Sequence, residues 1–89
     1  MIKKEQIIKK IKEYFDQLQD NEDEFITAMV LRDYITETLN EEQLLIFFLR
    51  VVKGMTFYEI GDIVGITHSL AQSKYSNIRI QIFNFFNKG

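Results

Sequence analysis

The chain has 89 residues, of which 46% are apolar and 13% aromatic, a composition that fits one folded domain with a modest core and excludes a disordered chain. It contains no cysteine and a single histidine, His68, which excludes disulfide bonds, thiolate metal sites and a histidine metal cluster. The formal net charge of −2 is mild evidence against a nucleic-acid partner, because binding to phosphates requires basic charge.

The charges are unevenly distributed along the chain. Residues 13–24 hold six acidic side chains and no basic one, whereas residues 63–89 hold three basic side chains and no acidic one. The C-terminal quarter is therefore the part that a phosphate backbone would attract. The longest uninterrupted apolar run, residues 44–49, is too short to span a membrane. No signal-peptide cleavage site is apparent near the N-terminus, so we expect a cytoplasmic protein without a membrane partner.

Helical spacing of the apolar residues, no proline and four glycines predict an all-α single domain of about five helices. The first two helices, about 2–18 and 23–38, are expected to form an N-terminal helical hairpin over residues 1–38. Asp20 or Asn21 is expected to cap the second helix. The apolar side chains of the first helix fall on one face; they are Ile7, Ile8, Ile11, Phe15 and Leu18.

The third helix is predicted to begin at Asn40, with Gln43 at the spacing of a capping box. It is expected to continue to about Lys53 and to end at Gly54, a residue that readily adopts the left-handed conformation. Because its apolar residues fall on two sides, this helix needs cover on both.

The fourth and fifth helices are predicted to form a helix-turn-helix within residues 39–89. Thr56 and Glu59 have capping-box spacing, and Thr67 is expected to cap the fifth helix. Gly61 is expected at the closest approach of the two helices, and Gly65 at a turn position with positive φ. Ile60 and Ile63 are expected to face inward. The residues predicted to build this corner are Thr56, Glu59, Ile60, Gly61, Gly65 and Ile66.

The run "GMTFYEIGDIVGIT" at residues 54–67 is similar to the pattern G-x-T-x-x-E-I-G/A-x-x-L-G-V/I-S. Residues 39–82 thereby resemble the DNA-binding unit shared by the fourth conserved region of bacterial sigma factors and the C-terminal domain of LuxR-type regulators. The resemblance implies a transcription regulator, or a small sigma-factor-like protein, that reads duplex DNA with the helix at 67–82. It leaves residues 1–38 unexplained.

The N-terminal turns of a recognition helix lie in the major groove. Gln72 can bond to adenine with two hydrogen bonds, and serines can bond to either strand. The sequence "THSLAQSK" after the corner contains no arginine, so we expect weak, salt-sensitive binding. The predicted DNA-contacting residues are Thr67, His68, Ser69, Gln72, Ser73, Lys74 and Arg79.

The end of the fifth helix is strongly apolar. One stripe is predicted to form an interaction surface, because a small monomer would struggle to bury so many apolar residues; it consists of Ile78, Ile82, Phe85 and Phe86. Ile80 and Phe83 lie off that stripe. The expected occupant is a second copy in a homodimer, or RNA polymerase.

Enzymatic function is not expected. The sequence has no glycine-rich phosphate loop, no Cys–His pair and no metal-ligand cluster, and its paired carboxylates lack an apolar cleft, so neither a cofactor nor a metal is expected. Two alternatives to DNA binding stay open. One is a helical bundle without a role at DNA; the other is a diverged sigma-like interaction module that binds RNA polymerase or another regulator without touching DNA.

Overall fold

The computed structural model describes residues 3–17 and 22–87, and within these ranges all side chains except those of residues 22–28. These ranges contain five α-helices, one short π-helical segment and no strand, which confirms the predicted all-α fold. The predicted positions of Leu18, Asp20 and Asn21 lie outside the described residues. The elements are α1 Lys4–Asp16, α2 Glu22–Thr38, α3 Glu41–Phe47, the π segment Phe48–Val52, α4 Phe57–Val64 and α5 His68–Asn87.

Helix α1 covers the centre of the molecule with the predicted apolar face. Ile7, Ile11 and Phe15 are buried, and the helix packs against α2, α3 and the π segment. The Phe15 ring stacks on the Phe47 ring with 6.4 Å between centroids. Helix α1 therefore packs directly onto the third helix.

Helix α3 and the π segment form the central element of the fold. The Gln43 N–H donates to Asn40 Oδ1, and the Asn40 N–H donates to Gln43 Oε1, each at 2.9 Å, so the predicted capping box is confirmed. The element contacts α1, α4 and α5, which supplies the cover that its two apolar sides require. Its buried side chains are Leu44, Ile46, Phe47, Phe48 and Leu49.

The last part of this element differs from the predicted α-helix. The Lys53 N–H donates to the Phe48 carbonyl at 3.1 Å, a bond that spans five residues. A π turn closes one residue later than an α turn, so Phe48–Val52 winds more widely than predicted. Gly54 follows with φ of 67°, which confirms the predicted left-handed stop.

Arg50 fixes the connection from the π segment to α4. Its Nη1 donates to the Met55 carbonyl at 2.8 Å, and its guanidinium lies 4.5 Å from the centroid of the Phe57 ring. The Met55 N–H donates to the Leu49 carbonyl at 3.0 Å. The sequence prediction missed this role of Arg50.

Helix α2 packs on α1 and also contacts α5. Arg32 forms ion pairs with Asp16 at 3.3 Å and Asp33 at 3.2 Å, and exposed pairs of this kind add little to stability. The Tyr34 ring stacks on the Phe85 ring of α5 with 4.1 Å between centroids. In the described residues, no helix combines the length and the apolar character needed to cross a membrane.

Candidate nucleic-acid interface

The start of α4 has the predicted capping box. The Glu59 N–H donates to Thr56 Oγ1 at 3.2 Å, and the Thr56 N–H donates to Glu59 Oε1 at 3.0 Å. The hydrogen bonds with Thr56, the backbone one first, hold the pKa of the Glu59 carboxyl below its ordinary value, because they favour the charged form.

The two glycines of the α4–α5 corner have the two different roles that the sequence predicted. A Cβ atom at Gly61 would lie 2.5 Å from the Ile66 carbonyl oxygen, so only glycine permits this approach of the backbones. Gly65 has φ of 85° and open space where a Cβ would lie. The N–H groups of Gly65 and Ile66 both donate to the Gly61 carbonyl, at 2.8 and 2.9 Å, which closes the end of α4.

The inner face of the corner is formed by Ile60 and Ala71, both buried, with Ile66 half-buried beside them. Ile63 was expected to face inward, and that expectation is wrong because its side chain is 53% exposed. The buried side of α4 passes through Ile60 and Gly61, so Ile63 falls to one side of it, beside the buried face.

The first turns of α5 bring most of the predicted DNA-contacting residues together. Thr67 Oγ1 accepts from the Leu70 N–H at 3.1 Å, so Thr67 caps α5 as predicted. Several exposed polar residues at helical spacing then share one side of the helix. We call this surface the corner face; its residues are Thr67, His68, Ser69, Gln72, Ser73 and Ser76.

Tyr58 of α4 extends the corner face across the turn. Its ring stacks on the His68 ring with 4.0 Å between centroids and 19° between planes. The side chain is exposed, and the sequence prediction did not include Tyr58 in the site. Ser69 Oγ lies 3.5 Å from His68 Nε2. The missed signal was the position of Tyr58 on the outer side of α4, two residues after its cap.

Lys74 lies off the corner face. Its Nζ is 2.8 Å from Glu42 Oε1 on α3, so its charge is paired within the chain, and its contact with DNA stays a prediction. Arg79 is exposed and is the other charged residue of α5. The corner face itself contains no Lys, Arg, Asp or Glu side chain, so its polar groups are mainly neutral donors and acceptors of hydrogen bonds.

The apolar end of α5 is arranged differently from the prediction. Ile78 is 0% exposed and belongs to the core, Ile82 is half-buried against it, and Phe85 packs on Tyr34. Ile78 is thus a core residue and its assignment as a surface is wrong, whereas Phe85 and Phe86 stay partly exposed, at 39% and 43%.

The two residues that lie off the predicted stripe are the most exposed apolar residues at this end of α5, followed by Phe86. Ile80 is 57% exposed, Phe83 66% and Phe86 43%. We call these three residues the α5 tail. Only Phe86 of the predicted stripe belongs to it.

None of the protein-family models, curated proteins or solved structures compared with this chain matches it. The likeness to sigma factors and LuxR-type regulators therefore rests on the sequence run quoted above. Within the described ranges, no group of three or more His, Cys, Asp or Glu side chains is placed to hold a metal ion.

Proposed function

We propose that this protein is a transcription regulator of the helix-turn-helix type that binds duplex DNA with the first half of α5. The observation that carries the proposal is the tight crossing at Gly61, combined with the exposed polar surface that starts at Thr67. In helix-turn-helix proteins the second helix lies in the major groove, and its N-terminal residues contact the base edges.

The corner face supplies groups for reading bases. Gln72 can donate and accept at adenine, and Ser69 and Ser73 can bond to either base pair. Thr67 and Arg79 are suited to phosphate oxygens at the groove edges. The stacked Tyr58 ring limits the orientations of His68, which prepares its imidazole for one contact geometry.

Electrostatics make a small contribution to this binding. Arg79 is the one α5 cation in the described residues without an ion-pair partner, and one neutralised phosphate gives a salt slope of about −1. We therefore expect weak binding, with a dependence on salt that is shallower than the sequence alone predicted.

The test is the sequence preference of Gln72→Ala. A preferred site is first selected from random duplexes at low salt, and its affinity is compared with that of an unrelated duplex. Losing a two-bond contact with adenine should reduce the preference by roughly 5- to 150-fold, equivalent to about 1–3 kcal/mol, with binding to the unrelated duplex unchanged.

The matched control is Gln17→Ala, the same chemical change at an exposed position next to α1. It should leave both affinities as they are. An equal loss on every duplex with Gln72→Ala would argue against base reading.

A second candidate function is a protein-interaction module that binds RNA polymerase or another regulator without contacting DNA. The exposed Ile80 and Phe83 and the uncharged corner face favour it. Gel shifts at low salt, with and without core polymerase, separate the two. Retardation by the isolated protein supports DNA binding, and retardation only with polymerase supports a sigma-like adaptor. A stable polymerase complex that leaves the protein without effect on DNA supports the second candidate.

A further inference from the structure

An open apolar groove of about 770 Å³ lies on the side of α4 that faces away from α5. It is formed by α3, the π segment and α4, and no residue of α5 lines it. Glu41, Glu42 and Lys53 stand among the lining residues as its charged members. The apolar lining consists of Leu45, Phe48, Leu49, Met55, Ile63 and Val64.

The chain does not fill this groove. Phe48 and Leu49 are buried at its base, whereas Ile63 on its wall is more than half exposed. Its volume is that of a site for a drug-sized ligand, and thus for a few large side chains. Apolar grooves between helices commonly accept the apolar face of another helix, with anchors at spacings of three or four residues.

The α5 tail offers such a helix face. Ile80, Phe83 and Phe86 follow one another at intervals of three residues and are all exposed. Arg79 directly precedes them, and α5 contains no acidic residue.

The charges beside the two surfaces are complementary. Among the ion pairs of the described residues, Glu42 is taken by Lys74, while neither Glu41 nor Arg79 takes part in any. The groove therefore has an unmatched carboxylate, and the tail has an unmatched guanidinium next to its apolar anchors. The Lys53 amine lies 5.8 Å from the centroid of the Phe48 ring, over the base of the groove.

We propose that the groove receives the α5 tail of a second copy of this chain, with Phe83 as the central anchor and Arg79 facing Glu41. The contact joins two different surfaces, and a two-fold axis repeats it to close a dimer. Such an assembly carries two corner faces, which would strengthen weak binding to DNA through avidity. The assembly itself does not depend on DNA, so it is tested without DNA and independently of the proposed function.

The experiment measures self-association of the full chain by sedimentation equilibrium, at concentrations that span the micromolar to millimolar dissociation constants of weak complexes. The variants are Ile63→Glu in the groove and Phe83→Glu in the tail. Both side chains are more than half exposed, so circular dichroism and thermal unfolding should stay close to the wild type.

The wild type should associate with increasing concentration, and each variant alone should associate roughly 30-fold more weakly, as expected for loss of a hot-spot contact. An equimolar mixture of the two variants should form a complex of two chains, because the intact tail of one fits the intact groove of the other. The control Val30→Glu, an exposed apolar position on α2, should associate like the wild type.

Three results would overturn the proposal. The first is a wild type that stays monomeric throughout, which would assign both surfaces to a different partner such as RNA polymerase. The second is undiminished association of Ile63→Glu. The third is a mixture of the two variants that associates no more strongly than either variant alone, which would show that the tail of one copy does not fit the groove of another.

Discussion

The two ends of α4 are flanked by nearly the same three-residue sequence, but the two corners differ in how closely the helices approach. Gly-Met-Thr precedes the helix at residues 54–56, and Gly-Ile-Thr follows it at residues 65–67. In both, the glycine has positive φ, the apolar residue is half-buried and the threonine caps the next helix. The helices nonetheless approach closely at the corner of residues 65–67, whereas the corner of residues 54–56 borders the apolar groove.

The difference lies four residues before each glycine. Gly61 lets the backbones of α4 and α5 touch. At the equivalent position in the other corner, Arg50 fills the space with its side chain and bonds to the Met55 carbonyl. The local turn residues thus set the direction of the chain, and the residue at the crossing sets how closely the helices approach.

The largest expected effect comes from Gly61→Ala. Replacing glycine by alanine inside a helix normally stabilises it by about 1 kcal/mol, but here the added methyl group would meet the Ile66 carbonyl. We expect the free energy of unfolding to fall by about 2–3 kcal/mol and the Tm to fall by roughly 10–20 °C, as measured by circular dichroism. Ser76→Ala, at an exposed position of α5, should be neutral or slightly stabilising. A more stable Gly61→Ala variant would show that the tight crossing does not exist.

The next effect compares Gly65→Ala with Gly54→Ala. Both positions have positive φ, and at both the space that a Cβ would occupy has no other atom within 4 Å, so the cost is backbone strain of about 1–2 kcal/mol in each case. Asparagine tolerates this conformation better than alanine. In urea unfolding, Gly65→Asn should therefore lower the free energy of unfolding by less than Gly65→Ala does. Strongly unequal costs for the two alanine variants would contradict the equivalence of the two turns.

The capping threonines should give a smaller and similar pair of effects. Thr67→Ala and Thr56→Ala each remove a side-chain acceptor for a helix N–H, which costs typically about 1 kcal/mol. The serine variants keep the hydroxyl and should stay close to the wild type. Unchanged unfolding midpoints in both alanine variants would show that the caps do not hold these helices.

The smallest effect is a dependence of stability on pH, which only the corner at residues 54–56 should show. Thr56 lowers the pKa of Glu59 in the folded chain, so the unfolded chain binds more protons in the acidic range and stability rises with pH there. The contribution is complete above the ordinary glutamate pKa of about 4.3 and is lost as the pH falls through the folded value. Urea midpoints across this range should fall less with acid in Glu59→Gln than in the wild type. Equal acid sensitivity in Glu59→Gln and the wild type would show that Glu59 does not cause the dependence on pH.

The corner was predictable from sequence because its determinants are local. The caps at Thr56 and Thr67 and the turn at Gly65 depend on residues within one helical turn. Gly61 was predictable because a small residue at that distance from a turn has a clear steric use. The polar corner face followed from the same helical spacing.

The surfaces beyond the corner depend on contacts between distant residues. The prediction for Ile78 failed because periodicity identifies an apolar stripe without showing whether other helices cover it. Lys74 forms an ion pair with Glu42, 32 positions earlier, and the Phe85 ring is held by Tyr34. Spacing within α5 contains no information about either partner.

The π segment Phe48–Val52 also affects how the length of this chain can vary. Its closing bond from the Lys53 N–H to the Phe48 carbonyl spans one residue more than an α turn. A descendant lacking one residue there can close an ordinary helical turn while the flanking helix and the following loop keep their places. The deletion of one residue should therefore be tolerated in evolution inside this buried helical element, where an insertion or deletion is ordinarily the most damaging change.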